Sequence, residues 1–142
     1  MSNVLQLPVT SDVPVNRNLA ARWGGQQSLF ARPEGWLGVP DAFLRHYATL
    51  KPYGLTAGEA LFVLQLMSFK WAAAAPYPGY KKLAKRMGIT DKMARRYAKA
   101  LEDKGYLTRT ARIGSSNSFD LTALFAALAQ ALNEESQQTS AA

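Results

Sequence analysis

The stretch from Tyr80 to Leu121, YKKLAKRMGITDKMARRYAKALEDKGYLTRTARIGSSNSFDL, constrains this chain more than any other. Two segments of helical period flank Gly88-Ile89-Thr90. The first turns Leu83, Ala84 and Met87 to one side, and the second does the same with Ala94, Ala98 and Leu101. Gly88 can take a positive φ and end the first helix, Ile89 can fill the gap between the two, and Thr90 can cap the second. The second helix is therefore expected from Asp91 to about Lys104, with Gly105 as its stop. Beyond it, Tyr106 to Ile113 is rich in aromatic and β-branched residues. Gly114-Ser115-Ser116-Asn117 reads as a turn before Ser118 to Leu121, so a hairpin is expected over 106–121, with Arg109 and Arg112 near its tip.

Charge singles out the same stretch by a separate route. The formal net charge is +7, and between Lys81 and Arg112 eleven basic residues face three acidic ones, a local +8. The remainder of the chain sums to −1. A surface charged only for solubility would scatter its cations, whereas this excess coincides with the helix pair and hairpin, as suits a phosphate-rich partner.

The run G-I-T-x-x-x-A-x-R-x-A-x-x-L-E-x-x-G-Y-L, Gly88 to Leu107, resembles the recognition half of bacterial winged helix-turn-helix proteins. With TAGEALFVLQL before it and YPGYKKLAKRMGI leading in, the pattern is most similar to the winged-helix domains of plasmid and phage replication initiators. MarR-type regulators are a more distant likeness. The resemblance implies a mainly α fold with a small β hairpin, a winged helix-turn-helix. It also implies sequence-specific binding of double-stranded DNA, in plasmid or phage replication or maintenance or in transcriptional regulation. The helix 91–104 would enter the major groove, where Arg95 or Arg96 can reach guanine edges. Thr90, Lys92 and Lys99 flank that contact. Arg96 occupies a position where the family often carries arginine. Lys81, Lys82, Arg109 and Arg112 would hold phosphates. Met93 would touch a thymine methyl group or pack under the wing. Asp91 would serve the helix dipole or accept from a cytosine amino group. Arg112, Ser115 and Asn117 would bring the wing to the minor groove, or to a protein. A winged helix that binds only protein is the other reading, and the charge map disfavours it.

The length, 142 residues with 48% hydrophobic, allows one domain with a real core. Residues 1–27 lack a sustained period, and 1–35 reads as a flexible arm. Arg17 and Arg22 could touch DNA, while Trp23 suggests docking on the domain or on a second subunit. Residues 36–133 form the expected domain. Phe43, Leu44, Tyr47 and Leu50 line a short helix from about Pro40 to Leu50. Thr56-Ala57-Gly58-Glu59 is a capping box opening a helix to about Ala74, apolar on nearly all sides and therefore central. Thr122 to Asn133 reads TALFAALAQALN, a helix that either packs wholly on its own domain or offers a second face to a homodimer. The N-terminal arm is the other dimer candidate. Residues 134–142 read as a disordered tail.

Catalysis finds little footing. His46 is the sole histidine and lies far in sequence from any carboxylate pair. Glu102-Asp103 closes a helix, and Glu134-Glu135 falls in the tail. There is no phosphate-binding glycine loop, and the absence of cysteine removes thiolate metal sites and disulfides. Neither enzyme activity nor a cofactor or metal is expected. The N-terminus lacks the build of a signal peptide, and the apolar run Ala60 to Ala75 is broken by Gln65, Ser68 and Lys70, so a cytoplasmic protein without a membrane span is expected.

Overall fold

The structure, a computed structural model, describes residues 17–30, 37–69, 78–112 and 114–141. The chain divides into two compact units, Met1–Gly38 and Val39–Ala142. In the first, a short helix α1 (Arg17–Ala21) is followed by a 3₁₀ turn at Gln27–Phe30. Gly24 and Gly25, both at positive φ, reverse the chain between them, and Gly25 N–H closes α1 on the Ala20 carbonyl. The arm thus carries local structure where none was expected. Trp23 is 68% exposed.

The second unit is a winged helix-turn-helix: helices α2 (Asp41–His46), α3 (Ala57–Ser68), α4 (Tyr80–Met87) and α5 (Asp91–Asp103), an antiparallel hairpin β1 (Thr108–Arg112) and β2 (Ser115–Asp120), and α6 (Thr122–Ala141). α2 gives way to a 3₁₀ turn at Tyr47–Thr49; it buries Phe43 but leaves Leu44 exposed, against the expected apolar face. α3 starts with the full capping box. The Glu59 N–H donates to Thr56 Oγ1 at 3.1 Å, and the Thr56 N–H to Glu59 Oε1 at 2.8 Å. One side of α3 buries Phe62, Val63 and Leu66 completely, whereas Leu61 is exposed, so this helix, apolar on nearly all sides, is not buried all round. Its expected extension to Ala74 falls in 70–77, outside the described residues. So does the proline stop at Pro76, while Pro33 and Trp36 fall in 31–36, also outside the described residues.

α3 can approach α5 closely because Gly58 has no side chain: a Cβ there would collide with the Tyr97 hydroxyl. Phe62 and Tyr97 rings meet beside this point, 6.1 Å between centroids. α4 and α5 bury Leu83, Ala84, Ala94, Ala98 and Leu101 into the same core. Both helices end in the same way. Gly88 (φ 69°) lets the Ile89 N–H reach the Ala84 carbonyl at 3.0 Å, and Gly105 (φ 82°) lets the Tyr106 N–H reach that of Leu101 at 3.0 Å. Ile89 packs against the core at the turn, as expected.

The hairpin is shorter than the sequence suggested. Tyr106 and Leu107 are buried core residues ahead of β1 rather than strand, and Ser115–Asn117 belongs to β2 rather than to a turn. Gly114, at φ 66°, lets the reversal be tight, so Arg112 pairs with Ser115. The register slips by one residue between Thr110 and Arg112. Arg109 pairs with Phe119 and so lies toward the base of the wing, not near its tip.

α6 corrects a second boundary. It continues without a break through 134–141, where a disordered tail was expected, and buries Leu124 and Leu128. Its second half has a partner that spacing alone does not reveal: Glu135 accepts from Arg45 at 2.8 Å and lies 3.3 Å from His46 Nε2, both on α2. Among the described residues no helix is long and apolar enough to cross a membrane.

Candidate nucleic-acid interface

The core contacts of α4 and α5 decide which of their cations face water. With Leu83 and Ala84 turned inward, α4 exposes Lys81, Lys82, Lys85 and Arg86. With Ala94, Ala98 and Leu101 inward, α5 exposes Asp91, Lys92, Arg95, Arg96 and Lys99. Thr90 is the N-cap of α5, and its Oγ1 accepts from the Met93 N–H at 3.1 Å. Met93 is half-buried.

The exposed cations divide by what already holds them. Lys81, Lys85, Lys92 and Arg96 have no ion pair or hydrogen-bonded side-chain partner among the described residues. Lys99 is joined to Asp103, one turn on, at 2.8 Å. That hydrogen bond, and then the charge of Asp103, hold its ammonium pKa above the ordinary lysine value. Lys82 and Arg86 lie over the Phe69 ring, 5.7 and 4.7 Å from its centroid, and Arg86 also donates to Ser68 Oγ at 3.0 Å. Arg95 lies over the Tyr80 ring, 4.8 Å from its centroid.

Two cations counted in the sequence charge map point elsewhere. Lys104 caps the C-terminus of α5 and turns inward, where its Nζ meets the buried Glu59 carboxylate and donates to the Gly54 carbonyl at 2.8 Å. Arg109 is built into the base of the wing. Its Nη2 bonds Glu102 at 2.7 Å, and its Nη1 donates to the Tyr80 hydroxyl. The Tyr80 contact first, with Glu102 adding to it, raises the guanidinium pKa against the opposing effect of partial burial. Tyr80 in turn packs edge-on against Phe119 of β2, 5.8 Å between centroids. Arg112, Ser115 and Asn117 have their backbone in the hairpin, and their side chains lie outside what is described.

This is a two-helix motif with a capped turn, an exposed cationic side and a hairpin anchored to it. Residues 53–107 match the model of a helix-turn-helix domain family. The match spans α3, α4 and α5 and ends as the wing begins. No curated protein matches the chain.

Sequence spacing does not reveal the ring supports given by Tyr80 and Phe69, the Arg86–Ser68 bond, or the cation partners of Glu59 and Glu102, which the sequence marks only as a capping-box residue and a helix-end acid. The partners of Tyr80, Arg95 and Arg109, stand at no helical spacing from it. His46 was set apart from carboxylates by sequence distance, yet the fold brings it to Glu135. A cavity of about 330 Å³ opens beside them, lined also by Lys51, Gln130 and Glu134. Among the described residues no group of three His, Cys, Asp or Glu side chains is arranged to hold a metal ion.

Proposed function

We propose that this protein reads double-stranded DNA by sequence, with α5 in the major groove and the hairpin alongside it. It would serve replication or maintenance of a plasmid or phage, or transcriptional regulation. One observation carries the reading: on the two helices of the helix-turn-helix, most of the exposed cations are left without a carboxylate partner, while the inward cations Lys104 and Arg109 are each matched by one. A face kept cationic in this way suits a polyanion. Lys81 and Lys82 are the expected phosphate contacts from α4, and Lys92 and Lys99 from α5. Arg95 and Arg96 are the base-reading candidates, Met93 a contact to a thymine methyl group, and Thr90 a contact at the helix start. Arg112, Ser115 and Asn117 would meet the flanking groove. Arg109 joins them only by giving up Glu102 or by sharing its remaining N–H groups.

Two copies on a repeated or inverted site complete the proposal. α6 exposes Ala123, Ala126, Ala129 and Leu132, a surface of small and apolar residues that a second copy can cover. Half-sites about one helical turn of DNA apart, roughly 34 Å, would follow.

The test is a salt-titrated selection from a pool of duplexes with randomised sequence. Recovery of a motif, with log K falling steeply against log salt at a slope of about −5 for six phosphates, supports the reading. Duplexes recovered without a motif, or none at all, would leave a winged helix whose partner is a protein.

A further inference from the structure

Arg95 and Arg96 are adjacent on α5, both exposed and both able in principle to reach a guanine, yet their surroundings differ. Arg96 meets no aromatic face and no acceptor among the described side chains, so its rotamers are free and binding must order them. Arg95 lies over the Tyr80 ring at 4.8 Å from the centroid. That ring is itself held from three directions: by Arg109 Nη1 at the hydroxyl, by Phe119 of β2 at its edge, and by its own backbone in the first turn of α4. Arg109 is fixed in turn by Glu102 of α5 at 2.7 Å. The result is a closed circuit, α4 to β1 to α5, with Arg95 resting on its one aromatic member.

We infer that Tyr80 is a positioning residue which holds Arg95 ready, and that Arg95 is the arginine of α5 that reads a guanine while Arg96 contacts phosphate. The inference rests on the DNA reading above and assigns its specificity. A guanidinium lying on an aromatic face keeps its in-plane N–H edge open, the edge that pairs with guanine O6 and N7. A side chain already ordered loses less entropy on binding than a free one, so its contact discriminates more strongly between right and wrong bases. Arg95 and Arg96 both fall in the N-terminal half of α5, the part of a recognition helix that faces base edges, so the aromatic support rather than position along the helix sets them apart. The same circuit carries the wing: β1 through Arg109 and β2 through Phe119 both bear on Tyr80, so the hairpin and the reading side chain share one support.

The experiment uses the full chain and the duplex enriched by it from the randomised pool, beside a scrambled duplex of equal length, at one salt concentration. The readout is discrimination, the ratio of the two Kd values, with Tm recorded for each variant. For Arg95→Ala the ratio is expected to fall by about 10- to 100-fold, through loss of preference at one guanine. For Arg96→Ala both Kd values should weaken together and the ratio should stand. Tyr80→Leu should reduce the ratio by about 2- to 5-fold, as expected for loss of one exposed cation–π contact. Tyr80→Phe keeps the ring and should restore the ratio even where Tm falls. Tyr80→Leu added to Arg95→Ala should lower the ratio no further. A merely structural Tyr80 would move Tm and both Kd values but not the ratio, and that result overturns the inference. So does a collapse of the ratio in Arg96→Ala with Arg95→Ala unchanged. If the wild-type chain enriches no motif, the DNA reading fails and this assignment falls with it; an enriched motif read equally well by Arg95→Ala sinks the assignment alone.

Discussion

Replacing Lys104 with Met separates the part of the basic count that serves the fold from the part that serves a polyanion. Lys104 Nζ meets Glu59, whose side chain is only 7% exposed, and also donates to the Gly54 carbonyl at 2.8 Å. Glu59 cannot easily turn to water, because the same Oε1 accepts from the Thr56 N–H at 2.8 Å in the capping box. Without Lys104 a buried carboxylate keeps one amide donor and loses its counter-charge. Removing one member of a fully buried pair costs about 3–5 kcal/mol. The Lys104 side chain retains 22% exposure and the Thr56 donor survives, so a loss of about 2–3 kcal/mol is expected here. For a domain of this size that lowers Tm by roughly 8–12 °C. Urea unfolding followed by helical circular dichroism measures it, and the Glu59→Gln, Lys104→Met double variant should recover part of the loss, a coupling of about 1–2 kcal/mol. Below its Tm the single variant should bind duplex DNA with an unchanged salt slope. A loss under about 0.5 kcal/mol, or a slope reduced by a whole phosphate contact, would refute the reasoning, since Lys104 would then be facing solvent.

Other perturbations test the scaffold and the surface separately. Gly58→Ala places a methyl group against the Tyr97 hydroxyl where α3 crosses α5, and should cost about 1–3 kcal/mol in chemical denaturation. Thr90→Ala removes the N-cap of α5 and should cost about 1 kcal/mol, with helical signal lost at lower urea. Leu101→Ala, in a fully buried site beneath α5, should cost about 2–5 kcal/mol and is a positive control for unfolding. On the surface, Lys81→Ala and Lys92→Ala should each leave stability within about 0.5 kcal/mol and reduce the magnitude of the DNA salt slope by about one.

Local rules made much of this fold legible. Gly88, Thr90 and Gly105 dictate turn, cap and stop through their own backbone and side-chain chemistry, and all three act where the sequence placed them. The inward faces of α4 and α5 followed from period alone, since Leu83, Ala84, Ala94, Ala98 and Leu101 are all buried. What the sequence hid was long-range. The pairing of Glu135 with Arg45 spans ninety residues and helps keep α6 docked beyond the point where composition turns polar. The hairpin is shorter than its side chains suggest because Tyr106 and Leu107 are strand-like but serve as core, and because Gly114 lets the reversal close tightly. Local sequence does not separate the cations that serve the fold from those that face water, since nothing near them distinguishes Lys104, which turns to Glu59, from Lys92, which does not.

That distinction bears on how such a face can discriminate. Unpaired lysines on mobile stems supply attraction that falls with salt and is indifferent to sequence. Base reading needs donors fixed in direction, and the motif helices give two arginines an aromatic rest, Arg86 on Phe69 and Arg95 on Tyr80. Only one of these is on α5. Arg86 is also tied to Ser68 at 3.0 Å, at the end of α3, so its fixed N–H edge is partly spent inside the fold. Arg95 has no such second tie among the described residues, and its support is shared with both strands of the wing. A shift of the hairpin on its base would therefore move Tyr80, and with it Arg95, relative to α5. Binding at the wing and reading by the helix would then be coupled through one ring, and a variant that loosens the wing, such as Phe119→Ala, should lose discrimination as well as stability. If Phe119→Ala lowers Tm by the several degrees expected for an emptied core site yet reads the enriched duplex as sharply as the wild type, the ring does not transmit that coupling.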